Sequence, residues 1–253
     1  MVITSCQNAK IKDLIALETK SRERRARGLF VVEGRREYER ARKAGFETVT
    51  LFVREGEPDA DRADFTVSDG VYEKLALRDG TEGVVAVMRS RFLRLEELKL
   101  KASPLVLVLE SVEKPGNLGA VLRTADAAGA DAVLVCDPLT DLYNPNTVRA
   151  SLGAIFSVPT VACTSEDACA WLKAHGIAIL TAQLQDSKLY YDTDMVRPTA
   201  LVFGTEDKGL SPYWREQADA HIRIPMAGMM DSLNISVSAA ILAFEAVRQR
   251  SAR

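Results

Sequence analysis

The feature that most constrains the fold is a regular alternation of short apolar runs and helix-forming segments in the second half of the chain. The first run, Leu105–Glu110, has the sequence LVLVLE and is apolar up to its last residue. Later runs lie at 132–136, 158–163, 177–184, 200–203 and 221–225. Continuous apolar runs are typical of strands covered on both faces, and helices between successive strands make those strands parallel. The sequence therefore predicts an α/β fold with a mostly parallel sheet and helices on both faces.

The front of the chain predicts a separate, smaller α/β domain. Short strand patterns alternate with helical ones up to about residue 92, and segment 93–104 is polar and ends at a proline. We therefore expect a small domain at 1–92, a linker at 93–104 and a larger domain at 105–253.

Charge is distributed unevenly between these parts. Residues 1–54 contain thirteen basic and seven acidic side chains. This segment therefore has a net charge of about +6, whereas the whole chain carries −2. A basic front on an acidic body favours a polyanionic partner bound through one end. A solvated helix face rich in paired charges is the alternative.

Composition excludes several classes of protein. The chain is 47% hydrophobic and 27% charged, which is ordinary for a globular protein and argues against disorder. No apolar run approaches the roughly 18 residues of a membrane span, and residues 1–12 are too polar for an export signal, so we expect a cytoplasmic protein. The four cysteines form no C-x-x-C pair and there are two histidines, so we expect no metal site.

A parallel sheet binds its ligand at the carboxyl ends of its strands, so the joints between strands and helices are the candidate sites. After Glu110 the sequence EKPGNLGAVLR places Asn117 and Gly119 at the start of a helix and Arg123 farther along it. Such a helix start suits a phosphate. A capped helix with a structural arginine explains the pattern as well.

Two further joints combine glycines with polar side chains. The sequence LVFGTEDKGLS carries Gly204, Glu206 and Gly209 directly after an apolar run. In the sequence IRIPMAGMMDSLNIS, a methionine-rich loop leads into Ser232 and Asn234 at the start of a long helix. Methionines are adaptable enough to hold a flat ring. Each joint alone is explained equally well by ordinary loop packing.

The three joints together resemble the motifs of one family. N-x-G-A-x-x-R begins at Asn117, F-G-x-E-x-x-G-L begins at Phe203, and I-P-M-x-G-x-x-x-S-L-N-x-S begins at Ile224. In this order they resemble the SpoU (TrmH-like) group of the SPOUT superfamily, which are S-adenosyl-L-methionine-dependent RNA ribose methyltransferases. The resemblance runs from about Leu105 to Arg250. FVVEGRREYERA, at 30–41, is similar to the L30e-like RNA-binding domain of this family.

The resemblance implies a fold detail and partners that the pattern alone does not give. It implies a deep trefoil knot around the second and third motifs, a homodimer with active sites near the subunit interface, and S-adenosyl-L-methionine held in the knot. It implies no metal and no membrane. The substrate would be RNA, with ribosomal RNA the first choice and transfer RNA the alternative.

The resemblance also assigns residues to roles. The backbone around the cofactor would be supplied by Ala182, Gly204, Ile224 and Leu233. The catalytic positions would be Asn117, Arg123, Glu206, Ser232 and Asn234. A ribose 2′-hydroxyl would attack the methyl group, and Arg123 would grip the adjacent phosphate and stabilise the developing charge, since a guanidinium almost never acts as a base.

Three other functions compete with this prediction. A non-catalytic RNA-binding or ribosome-assembly factor could keep the fold, but the intact catalytic positions disfavour it. A Rossmann-type enzyme is disfavoured because no G-x-G-x-x-G follows the first strand of the larger domain. Base methylation is possible within the family, and the Ser-Leu-Asn motif favours ribose.

Overall fold

The structure is a computed structural model that describes residues 2–58, 60–76, 82–205 and 207–251. The strands are β1 (Val2–Ile3), β2 (Leu29–Glu33), β3 (Thr48–Arg54), β4 (Phe65–Val67), β5 (Val84–Arg89), β6 (Leu105–Glu110), β7 (Ala132–Cys136), β8 (Thr160–Cys163), β9 (Ala178–Ala182), β10 (Lys188–Leu189), β11 (Thr199–Phe203) and β12 (Ala220–Arg223). The helices are α1 (Ala9–Thr19), α2 (Ser21–Arg27), α3 (Arg35–Lys43), α4 (Asp69–Leu75), α5 (Pro115–Ala128), α6 (Pro145–Ser151), α7 (Ala154–Ser157), α8 (Ser165–Ala174), α9 (Pro212–Gln217) and α10 (Ile235–Ser251). No described helix is both long enough and apolar enough to cross a bilayer.

These elements form two compact units. Unit 1 contains residues 1–91 and 141–157, and unit 2 contains residues 92–140 and 158–253. Unit 1 is built on a mixed five-stranded sheet in the order β1-β4-β3-β5-β2, in which β5 is antiparallel to both β2 and β3. Helix α1 covers this sheet through Ile11, Leu14 and Leu17, all of which are buried.

The sequence SRERRARG, at 21–28, predicts a basic connector, but the structure forms helix α2 there. Its sequence, SRERRAR, consists mostly of residues that favour helices, and Gly28 ends it in the left-handed conformation with φ 62°. Arg24 is buried at 4% exposure because its Nε donates to Asp141 Oδ2 at 2.6 Å and its Nη1 donates to the carbonyl of Leu17.

Segment 141–157 packs with unit 1, although the sequence assigned it to the larger domain. The ring of Tyr143 stacks on Phe30 with 4.4 Å between centroids, and Phe156 lies edge-on to Phe46 at 5.1 Å. These rings lie far apart in the sequence, so no local pattern reveals their contact. The sequence at 147–156 predicts a single helix, but the structure divides it into α6 and α7 because Leu152 and the glycine after it adopt positive φ.

Unit 2 contains a seven-stranded parallel sheet in the order β10-β12-β9-β11-β6-β7-β8. Helices α8 and α9 cover one face, where Leu172 and Trp214 are buried against Val106 and Val108. Helices α5 and α10 pack against each other, and α10 contacts β6 and β11. The predicted fold class is confirmed, while the trefoil knot and the L30e-like character of unit 1 stay predictions.

The segment predicted as a linker, 93–104, is a packed part of unit 2. It contains a short 3₁₀ turn at Leu95–Glu97, and Leu95 is buried. Leu93, Leu98 and Leu100 contact the same core. This segment packs on the sheet because leucines recur at short intervals in an otherwise polar sequence, so it is not a flexible linker.

Candidate functional site

A cavity of about 340 Å³ lies beyond the carboxyl ends of three adjacent strands in unit 2. The strands are β12, β9 and β11, which are neighbours in the sheet. Ala182 and Phe203, the last residues of β9 and β11, both line this cavity. It therefore occupies the position at which an open parallel sheet binds its ligands.

The loop after β11 forms one wall and depends on glycine at position 204. A Cβ on Gly204 would stand 2.2 Å from the carbonyl carbon of Gly209 and 2.4 Å from the amide nitrogen of Leu210. The loop closes on itself, since the Gly209 amide donates to the carbonyl of Thr205 at 2.9 Å and Gly209 has φ 65°. Gly204 is therefore required by the chain's own folding, before any ligand is considered.

The segment between β12 and α10 forms the opposite wall. Ile224, Ser232 and Leu233 all line the cavity. Helix α10 begins at Ile235, three residues later than the sequence suggests. The reason is Asn234, whose Oδ1 accepts from the amide of Ser236 at 2.9 Å and from its hydroxyl at 2.6 Å, a side-chain turn that precedes the helix.

A side-chain hydrogen bond joins the first motif to the third. Nδ2 of Asn234 donates to Oδ1 of Asn117 at 3.2 Å. Asn117 lies in the first turn of α5, and Asn234 is the residue between cavity-lining Leu233 and Ile235. Two positions that are far apart in the sequence are thus held together at the amino end of α10.

Arg123 lies on α5 six residues after Asn117, which is about 9 Å along a helix. Its side chain is exposed and makes no hydrogen bond or ion pair with a described residue. Glu206 lies outside the described residues. Of the residues predicted from sequence, the cavity brings together Ala182, Gly204, Ile224, Ser232 and Leu233, with Asn117 and Asn234 joined beside it.

Two further residues support this site and were missed in the sequence. Glu110 ends β6 at 7% exposure, and its Oε2 accepts from the amide of Ser211 at 2.8 Å, which fixes the end of the loop that follows Gly204. A lone carboxylate ending an apolar run could have signalled this role. Arg215, on α9, also lines the cavity, and no sequence pattern marks it.

The cysteines offer no reactive thiol at this site. All four are free, and Cys136 lies opposite Cys163 on β7 and β8. A hydrogen bond with Cys163, together with burial, raises the pKa of Cys136, so this thiol stays protonated. Across the described ranges, no three histidine, cysteine or acidic side chains are grouped so as to hold a metal ion.

Comparison with known proteins identifies two matching families. Residues 104–244 match the SpoU rRNA methylase family, and residues 8–86 match the MRM3-like substrate binding domain. The first match contains every residue that borders the cavity, and the second lies within unit 1.

Individual relatives cover almost the whole chain. The 23S rRNA (guanosine(2553)-2′-O)-methyltransferase RlmP of Bacillus subtilis is 32% identical over 96% of this chain and 97% of its own length. A crystal structure of an RNA 2′-O ribose methyltransferase is 42% identical, with a TM-score of 0.87 over 99% of this chain and 100% of that one. An AdoMet-bound rRNA methyltransferase from Sinorhizobium meliloti is 30% identical, with a TM-score of 0.89 over 98% and 97% of the two chains.

Proposed function

Because the chain belongs to the SpoU rRNA methylase family, we propose that it transfers the methyl group of S-adenosyl-L-methionine to a ribose 2′-hydroxyl of ribosomal RNA. The observation that carries this proposal is the cavity at the carboxyl ends of β9, β11 and β12, with the Asn117–Asn234 hydrogen bond beside it. The relatives that carry 23S rRNA in their names support ribosomal RNA over transfer RNA.

The residues around the cavity fit the methyl donor. The volume of the cavity, about 340 Å³, is within the range of small-molecule sites. Ala182, Ile224 and Leu233 offer apolar side chains and backbone groups for an adenine ring, and Gly204 offers bare backbone to a ribose. When bound, the donor supplies a sulfonium whose methyl group is open to attack.

The catalytic residues would act on the RNA. Arg123 is exposed and has no counter-ion in the described chain, so it is available to a phosphate beside the reacting ribose. Its guanidinium would stabilise negative charge that develops on the 2′-oxygen and does not itself remove the proton, which would pass to the adjacent phosphate as S-adenosylhomocysteine leaves. Asn117, Asn234 and Ser232 would position the ribose, because bringing the oxygen into line with the methyl group supplies much of the acceleration. Glu206 is proposed to orient these groups.

Unit 1 would hold the RNA backbone. On α2 the side chains of Arg22 and Arg25, one turn apart, are exposed and have no described partner. On α3, by contrast, Arg36 pairs with Glu37 and Arg40 donates to the carbonyl of Leu152. Unneutralised arginines favour phosphate contacts, and the match of this region to a substrate binding domain supports the same role.

We also propose that the protein acts as a homodimer. Val237 and Phe244 lie two turns apart on α10 and are 45% and 47% exposed. Partly buried Ile241 lies between them on the same face. An exposed apolar stripe on a helix is typical of a surface that a second chain covers.

The test incubates the protein with methyl donor and ribosomal RNA and maps 2′-O-methylation as resistance to alkaline cleavage. We expect Arg123→Ala to bind the donor normally but to lose transfer by at least about a hundredfold, the usual effect of removing a charge-stabilising group. Arg197→Ala is the control, because Arg197 is exposed before the amino end of β11, away from the cavity.

Each alternative predicts a different result. Unchanged turnover in Arg123→Ala contradicts the catalytic assignment. Methylation of transfer RNA alone supports the alternative substrate. Failure of the wild-type protein to bind the donor supports a non-catalytic RNA-binding factor.

A further inference from the structure

Arg215 occupies an unusual position for an arginine. It lies on α9 and lines the cavity. Its Nη2 is 3.7 Å from the point at which a Cβ would stand on Gly209, so the guanidinium lies against the loop that forms one wall. The residue is half-buried, and its Nε is fully buried without a hydrogen-bond partner among the described residues.

The other described charged side chains at the cavity are either hydrogen-bonded or exposed to solvent. Arg223 donates to the carbonyl and the hydroxyl of Ser187. Lys208, Asp207 and Asp231 are exposed, so water solvates them. Arg215 differs because its charge is partly desolvated and no described acceptor compensates it, an arrangement that costs free energy in the absence of a counter-group.

We propose that Arg215 binds the carboxylate of the methionine moiety of the methyl donor. This inference rests on the function proposed above. Sulfonium and ammonium are the cationic groups of the donor, and the carboxylate is its one anionic group. A guanidinium pairs with a carboxylate through parallel, charge-assisted hydrogen bonds, whereas it repels the cationic groups. Arg215 therefore selects the orientation in which the carboxylate lies on the α9 side of the cavity.

The test measures binding by calorimetry without RNA. The ligands are S-adenosylmethionine and its decarboxylated analogue, which keeps adenosine, sulfonium and amine. We expect Arg215→Met to weaken the binding of S-adenosylmethionine by about tenfold to a hundredfold and to change the binding of the analogue by less than about twofold. Arg215→Lys should recover part of the loss, and Arg197→Met should change neither affinity.

The analogue also reports whether the cavity is intact in each variant. Equal losses for both ligands overturn the inference, because they indicate a structural role for Arg215. An unchanged affinity for S-adenosylmethionine also overturns the inference. If a separate titration then shows weaker binding of ribosomal RNA to the variant, Arg215 contacts a phosphate instead. If the wild-type protein binds neither ligand, both the proposed function and this inference are wrong. If the wild-type protein binds S-adenosylmethionine and substitutions of Arg215 do not change the affinity, only this inference is wrong.

Discussion

Replacing Glu18 with glutamine should make the protein more stable at alkaline pH. Glu18 lies on α1, and its Oε1 is buried without a hydrogen-bond partner in the described chain. Arg24 donates to the backbone carbonyl of Glu18 at 3.0 Å. Burial, and secondarily the charge of Glu33, raises the pKa of Glu18 from 4.5 to about 8.

The direction of the effect follows from proton linkage. Between pH 4.5 and 8 the folded protein keeps a proton on Glu18 that the unfolded chain releases. The contribution of Glu18 to the free energy of unfolding therefore falls as pH rises through this window and is constant outside it. Glutamine stays neutral in both states, so the variant lacks this contribution.

The size of the effect follows from the shift. One pKa unit corresponds to about 1.36 kcal/mol, so the full shift sets an upper bound of about 5 kcal/mol. Glu18 is partly exposed, and solvent screening reduces the expected effect to about 2–3 kcal/mol. Urea denaturation from pH 4.5 to 9 measures it, as the difference in unfolding free energy between variant and wild type at each pH.

The matched control is Glu39→Gln, on the exposed side of α3. Its difference from wild type should not change with pH. If the difference for Glu18→Gln is equally flat, or if the variant loses stability at alkaline pH, then Glu18 ionises normally and the explanation from burial is wrong.

Three other substitutions test the site and the surfaces. Gly204→Ala should abolish donor binding and destabilise the protein by about 1–3 kcal/mol, since its Cβ would overlap the backbone of the closed loop; calorimetry and urea denaturation measure both. Arg22→Ala with Arg25→Ala should weaken RNA binding and lower the slope of log affinity against log salt by roughly 1–2, measured by fluorescence anisotropy at several salt concentrations. Phe244→Glu should shift the protein from dimer to monomer in sedimentation equilibrium.

Each of these has its own control. Gly70→Ala should be neutral, because nothing lies within 4 Å of its added Cβ. Arg36→Ala should leave the salt slope nearly unchanged, since Glu37 already neutralises Arg36. Leu139→Glu replaces an exposed apolar residue after β7 and should leave the oligomeric state unchanged. A control that behaves like its test variant contradicts the corresponding assignment.

The sequence was sufficient to predict the large sheet and the family. Strand β6 is apolar along its length because both faces are covered, and such a run is visible locally. The three motifs identify the family by their order, and the comparisons confirm it. The roles of individual residues stay predictions, including those of Asn117 and Asn234, which the structure joins by a hydrogen bond.

The parts of the fold and site that could not be predicted depend on contacts between residues far apart in the sequence. The position of Arg215 at the cavity cannot be predicted from the sequence, because it depends on α9 placing the side chain against the loop at Gly209. The basic segment before Gly28 has no apolar periodicity and so predicts a connector, yet its residues form α2. Buried Arg24 anchors that helix through Asp141, which is 117 residues away in sequence.

The discontinuous composition of unit 1 has a consequence for protein engineering. Residues 141–157 lie within the stretch that matches the methylase family, yet Tyr143 and Phe156 pack on rings from the first 91 residues. Deleting the first 91 residues would expose the side chains of Tyr143 and Phe156 to water. A truncated fragment is therefore a poor probe of what each unit does. A chimera that exchanges unit 1 between relatives must transplant both stretches together, and we expect substitutions at Phe30 to be tolerated only alongside compensating changes at Tyr143.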